Sequence, residues 1–105
     1  MKAVAHEARE AMRTAGLTLL RGPVFLQLRA NYPIPESWPK KRKAAAVWKT
    51  SKPDTDNLAK LQKDALTGIV YRDDAQVVRV HAEKRYGEPI GVTVVVQEIA
   101  EAGAA

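Results

Sequence analysis

Three aspartates and a lysine carry the strongest chemical signal in the chain. Asp54 and Asp56 stand two positions apart at the entrance of a predicted helix, Asp74 sits in a turn before a predicted strand, and Lys60 follows Asp56 by one helical turn. If that helix packs beside that strand, the three carboxylates converge. Converging hard oxygens suit Mg²⁺, or Mn²⁺ in its place. An ion there would relieve the mutual repulsion and leave positions open for water and a substrate phosphate. Lys60 would then reach a phosphate or a developing negative charge. Each residue also has a plainer role. An aspartate at a helix start caps it, and Asp73-Asp74 suits a turn. Lys60 and Asp56 could form a surface ion pair worth less than ~1 kcal/mol. His6 and His81 lack metal-ligand spacing and read as structural or surface residues. No Gly-rich phosphate loop and no Gly-x-Ser-x-Gly occurs, so no nucleotide cofactor and no acyl transfer is expected.

The charges around these residues are unevenly spread. Lys and Arg number 17 against 12 Asp and Glu, a net charge of +5. Lys40, Lys41, Arg42, Lys43, Lys49 and Lys52 fall in one stretch without an acid among them. All the aspartates follow, between positions 54 and 74. The bland reading of a basic balance is solubility; a clustered one points to a polyanion. Trp38 and Trp48 sit in or beside the basic stretch, where they either stack on nucleic acid or anchor the segment to the core. The second role is the expected one. Cysteine is absent, which excludes disulfides, thiolate metal sites and a cysteine nucleophile. No apolar run is long enough to span a membrane, and the first residues lack the apolar centre of a signal peptide.

The elements that must position these groups can be read from periodicity. With 105 residues, one domain over 1–105 is expected. Val4, Ala8, Ala11 and Met12 recur at helical spacing and predict a helix over about 3–14, stopped by Gly16. Val24, Leu26 and Leu28 alternate with Phe25, Gln27 and Arg29, so a strand begins near Pro23. Residues 32–53, with four prolines, read as a mobile basic loop, with a helical turn at Ala44–Trp48. A second helix over 56–67 is predicted to bury Leu58, Leu61 and Ala65, with Gly68 as its stop. Two strands over 76–85 and 90–99 are predicted to pair as a hairpin through Gly87-Glu88-Pro89, with a frayed tail at 100–105. The whole is an α+β pattern.

Four segments together resemble one known family. They are Lys52-Pro53-Asp54-Thr55-Asp56-Asn57-Leu58-Ala59-Lys60, Asp64-Ala65-Leu66, Val70-Tyr71-Arg72-Asp73-Asp74-Ala75-Gln76-Val77 and Lys84-Arg85-Tyr86. They resemble the RusA family of Holliday-junction resolvases, over about Lys52 to Glu98. The resemblance implies a small mixed sheet of three to four strands packed with two helices. It also implies a homodimeric, Mg²⁺-dependent endonuclease, bacterial or phage-encoded and cytoplasmic, that resolves four-way DNA by paired symmetric nicks. By resemblance, Asp54, Asp56 and Asp74 are the metal-binding catalytic acids and Lys60 is the catalytic lysine. Lys40, Lys41, Arg42, Lys43, Lys49 and Lys52 would bind DNA phosphates. Two departures stand out. The family opens with a strand bearing Pro-Pro and Asn, whereas this chain starts at the helix, so a strand short of its relatives is expected. Where the family's best-known member has an arginine before its first acid, this chain has Pro53, with Lys52 one step earlier. A non-catalytic or truncated DNA-binding module of the same fold is the alternative reading.

Overall fold

Strand β1 (Val24–Tyr32) organises the molecule. Its alternation drives Val24, Leu26, Leu28 and Ala30 into the core, all nearly inaccessible to solvent, while Phe25, Gln27, Arg29 and Asn31 face the other way. The computed structural model describes residues 2–100, in the order α1 (Lys2–Ala15), β1, α2 (Lys40–Ala45), α3 (Thr55–Leu66), β2 (Val77–Tyr86) and β3 (Gly91–Glu98). A single 3-10 turn, Asp74–Gln76, precedes β2. Among the described residues, three helices and a three-stranded mixed sheet make a small α+β fold. The tail expected at 100–105 lies outside the described residues beyond Ala100.

The predicted hairpin is not formed. The strand order is β2-β1-β3, so β1 lies between the two strands expected to pair. It pairs in parallel with β2, from Val24 opposite Val77 to Tyr32 opposite Tyr86. It pairs antiparallel with β3, from Val24 opposite Glu98 to Asn31 opposite Gly91. The reason is burial: β1 carries the apolar row that must lie deepest, so it takes the centre. Val78 and Val80 on β2 are left exposed at an edge. Connection 87–90 then passes across the end of β1. There the Gly87 N–H donates to the Tyr32 carbonyl at 3.1 Å, and Asn31 Nδ2 donates to the Pro89 carbonyl at 3.0 Å. Gly87 and Gly91, at φ of 144° and 127°, take backbone angles that a side chain would resist.

Helix α3 is the crossover that a parallel β1–β2 pair requires. It runs opposite in direction to β1: Leu58 packs with Leu28 and Ala30, whereas Leu66 packs with Val24 and Leu26. Its buried row is Leu58, Gln62 and Leu66, not Leu58, Leu61 and Ala65 as the sequence predicts. Leu61 is 46% exposed and Gln62 only 1%. The spacing of four residues lets both flanking leucines reach the sheet, and Gln62 is carried in between them. Its Oε1 is buried with no hydrogen-bond partner among the described residues. Segment 32–53 also departs from the expected loop. Its helix is α2, built from the lysine run itself rather than from Ala44–Trp48. Trp48 instead forms an antiparallel bridge with Arg85, and Lys49 N–H bonds the Lys84 carbonyl at 3.1 Å. The outer edge of β2 is therefore partly covered, while that of β3 has no partner strand among the described residues.

Candidate active site

The two ends of α3 hold the two halves of the acidic set. Asp54 occupies the N-cap position, and its side chain makes no capping bond, so the plain capping role is not realised. Asp56 lies in the first turn of α3. Both are exposed, as is Lys60, and no ion pair within 4 Å joins Lys60 to Asp56 among the described residues. Lys52 Nζ lies 3.7 Å from Asp54 Oδ2, where it offsets part of that carboxylate's charge.

Asp74 stands at the other end. It opens the 3-10 turn before β2, and that turn is tied down from several sides. Asp73 accepts a bond from Ala75 N–H at 2.9 Å. Gln76 Oε1 accepts from the Arg72 and Asp73 N–H groups, each at 2.9 Å. Gln76 Nε2 donates to the Leu20 and Gly22 carbonyls, each at 3.0 Å. One glutamine thus fastens the turn to the segment leading into β1. Beside it Tyr71 is fully buried, and its hydroxyl donates to the Lys63 carbonyl in the last part of α3 at 3.2 Å. Burial pushes the Tyr71 phenol above its ordinary value, a hydrogen bond with Thr67 works against this, and Asp74 and Asp64 add to the rise.

The helix does pack beside β2, as convergence requires, but its direction separates the acids. Asp54 follows Ser51, whose carbonyl receives the Lys84 Nζ bond at 2.7 Å, and Lys84 is opposite Ala30. Asp74 precedes Val77, which is opposite Val24. From Val24 to Ala30 the strand rises about 20 Å. Among the described residues no three His, Asp or Glu side chains gather to hold a metal ion. Asp54 and Asp56 suit a divalent ion by chemistry and exposure, and Mg²⁺ needs only one or two protein carboxylates when phosphate and water complete its shell. Asp74 of the same chain does not join them.

The basic residues divide as well. Lys40 and Lys41 on α2 are exposed, with Lys43 half-buried. Arg42 lies over the Trp38 ring at 3.6 Å. Lys49 turns toward Tyr32 and Tyr86, at 4.9 and 5.5 Å from the ring centroids, and donates to Ser51 Oγ at 2.9 Å. Trp38 meets Tyr86 edge to face at 5.1 Å, the anchoring role expected of it. Trp48 is 58% exposed, so anchoring does not describe it. Sequence reasoning missed Arg85, which lies 5.0 Å from the Trp48 ring, and the tethering role of Gln76. Only a polar Gln directly before the apolar pair Val77-Val78 hinted at the latter.

The chain thus combines an α+β fold with acids at a helix entrance and cations on the preceding segment. Residues 1–97 match the family Endodeoxyribonuclease RusA, and the chain belongs to that family. It is 39% identical over 88 residues to the uncharacterized protein YqaN of Bacillus subtilis (strain 168), an alignment covering 78% of this chain and 62% of that one. It is 38% identical over 61 residues to the crossover junction endodeoxyribonuclease rusA of Lactococcus phage r1t, covering 57% of this chain and 47% of the phage protein. The chain thus spans under two thirds of the length of both relatives. No helix among the described residues is long and apolar enough to cross a membrane.

Proposed function

We propose that the chain is a metal-dependent endodeoxyribonuclease that resolves four-way DNA junctions by paired symmetric nicks, as a homodimer in the cytoplasm of a bacterium or an infected cell. The observation that carries this reading is the exposed Asp54, Asp56 and Lys60 at the start of α3, directly after a cation-rich segment without acids. Family membership and the likeness to a phage crossover junction endodeoxyribonuclease support it.

Asp54 and Asp56 would hold Mg²⁺, or Mn²⁺, with Asp74 completing the acidic set. A bound ion supplies Lewis acidity and an activated water for phosphodiester hydrolysis. Lys60 stands one turn along the exposed side of α3, placed to meet charge growing on phosphate oxygens. Lys40, Lys41, Arg42, Lys43, Lys49 and Lys52, all in the segment before α3, would draw in the backbone without reading sequence. Lys49 contributes from the side of the aromatic rings, and Lys52 also balances Asp54. Because Asp74 stands at the far end of α3, a shared site of all three acids takes Asp74 from a second copy. A two-fold dimer makes two such sites, one for each strand to be cut.

The test is nicking of a synthetic four-way junction in Mg²⁺. Asp56→Asn is expected to lower the rate at least ~100-fold while leaving junction binding in place. Nicking at the wild-type rate by that variant would remove the site assignment. The separation of Asp74 from Asp54 and Asp56 in one chain also favours a second reading, a non-catalytic DNA-binding module. Tight junction binding with no nicking across Mg²⁺, Mn²⁺ and other divalent ions would establish it.

A further inference from the structure

Beside the acidic end of α3 lies a cleft of about 510 Å³ between the end of β2 and the segment 38–51. Trp38, Trp48 and Tyr86 supply its aromatic walls, Arg42 is its cation, and no acid lines it. Two of the rings and the backbone of the third are held in place before any ligand arrives. Trp38 is fixed edge to face on Tyr86, Arg42 lies over Trp38, and the Trp48 backbone bridges Arg85. Trp48 nevertheless leaves 58% of its surface in water. A large ring kept exposed beside a cleft costs apolar burial that the fold could have gained by turning it inward.

We propose that this cleft is a subsite for one unpaired nucleobase of the DNA strand, stacked against Trp48 with its flanking phosphates met by Arg42, Arg85 and Lys49. The chemistry of the lining selects the ligand. The exposed part of the Trp48 ring calls for a flat ring, and the cations over the cleft's rings, with no acid lining it, call for an anion; a nucleotide is both. The base must be unpaired, because in duplex DNA both of its faces are already covered by neighbours. The Thr50 and Ser51 hydroxyls on the rim offer hydrogen bonds to a base edge without demanding a particular base. The cleft is also coupled to the acids. Ser51 forms part of its wall and lies three residues before Asp54, a reach of at most ~11 Å of chain. A strand seated with one base in the cleft thus places a nearby phosphate at the entrance of α3.

This subsite rests on the DNA-nuclease reading but is tested without cutting anything. Trp38 and Trp48 are the protein's two tryptophans, so intrinsic fluorescence reports on the cleft. The intact chain is titrated at low salt with single-stranded oligothymidylate, an abasic strand of equal length and a blunt duplex. The expected result is strong quenching by oligothymidylate alone. Trp48→Ala should weaken oligothymidylate binding about ten-fold or more, followed by anisotropy of a labelled strand, and Trp48→Phe should restore most of it. Equal affinity for the abasic strand, equal quenching by the duplex, or an unchanged affinity in folded Trp48→Ala would each overturn the subsite. A chain that cuts junctions but treats bases and abasic sites alike loses the subsite and keeps the nuclease reading. A chain that takes unpaired bases but nicks nothing does the reverse.

Discussion

The two ends of α3 are built in opposite ways. At its start, Asp54, Asp56 and Lys60 are exposed and lightly held: Asp54 makes no capping bond and meets only Lys52 at 3.7 Å. At its far end, Asp74 stands in a turn that Gln76 fastens through four hydrogen bonds, against a fully buried Tyr71. All four side chains are exposed, but only the far end sits on backbone tied to the rest of the fold. The difference teaches that residues of one motif set need not serve one site within one chain. An exposed carboxylate on a tethered turn, at the other end of a strand rise of about 20 Å, is suited to being presented to another copy.

The sharpest way to break this comparison is complementation. Asp56→Asn and Asp74→Asn proteins, each alone, should be inactive on junctions. If sites form across a two-fold axis, refolding the two variants together restores one intact site in each mixed dimer, or about a quarter of wild-type nicking. No recovery would mean that the acids meet within one chain after a rearrangement.

Stability should differ between the two ends as their bonding does. Gln76→Ala removes every bond that ties the turn to the segment before β1 and is expected to destabilise by about 2–3 kcal/mol in urea unfolding. Lys52→Ala, at the open end, should shift the same curve by less than ~0.5 kcal/mol. Comparable losses at both ends would erase the contrast.

Between the ends lies Gln62, buried without a partner for its Oε1. Gln62→Leu should therefore stabilise by about 1–2 kcal/mol, read as a higher urea midpoint with unchanged slope. A loss of stability would show that the amide is satisfied in solution by water or a partner.

The smallest effect is a pH dependence at the Tyr71 end. Its folded value lies above the ordinary 10.0, so the neutral phenol is the form the fold favours. That contribution is complete below pH 10 and declines as pH rises beyond it, since the unfolded chain ionises first. Tyr71→Phe should flatten the alkaline fall in thermal stability while leaving the neutral range with the same slope.

Much of this molecule was legible from local pattern. The apolar alternation that makes β1, the run that makes α3 and the β-branched residues of β3 each depend on neighbours in sequence, and each formed close to its predicted bounds. The motif residues Asp54, Asp56, Lys60 and Asp74 were likewise visible, because acid and lysine spacing is a local property. The inner face of α3 was not. Leu61 is as apolar as Leu58, and only the position of the sheet decides that Gln62 goes in and Leu61 stays out.

What the sequence determined by itself is the inventory: an acidic pair opening a helix, a basic segment before it and enough alternating apolar residues for an α+β core. What the tertiary structure decided is how these are distributed. Placing β1 between β2 and β3 buried the most apolar strand and replaced the expected hairpin with a four-residue crossing. It also set α3 antiparallel to β1, which sent Asp74 and the Asp54–Asp56 pair to opposite ends. Strand order and helix direction follow from the burial of the whole chain at once, a non-local balance that residue spacing does not encode.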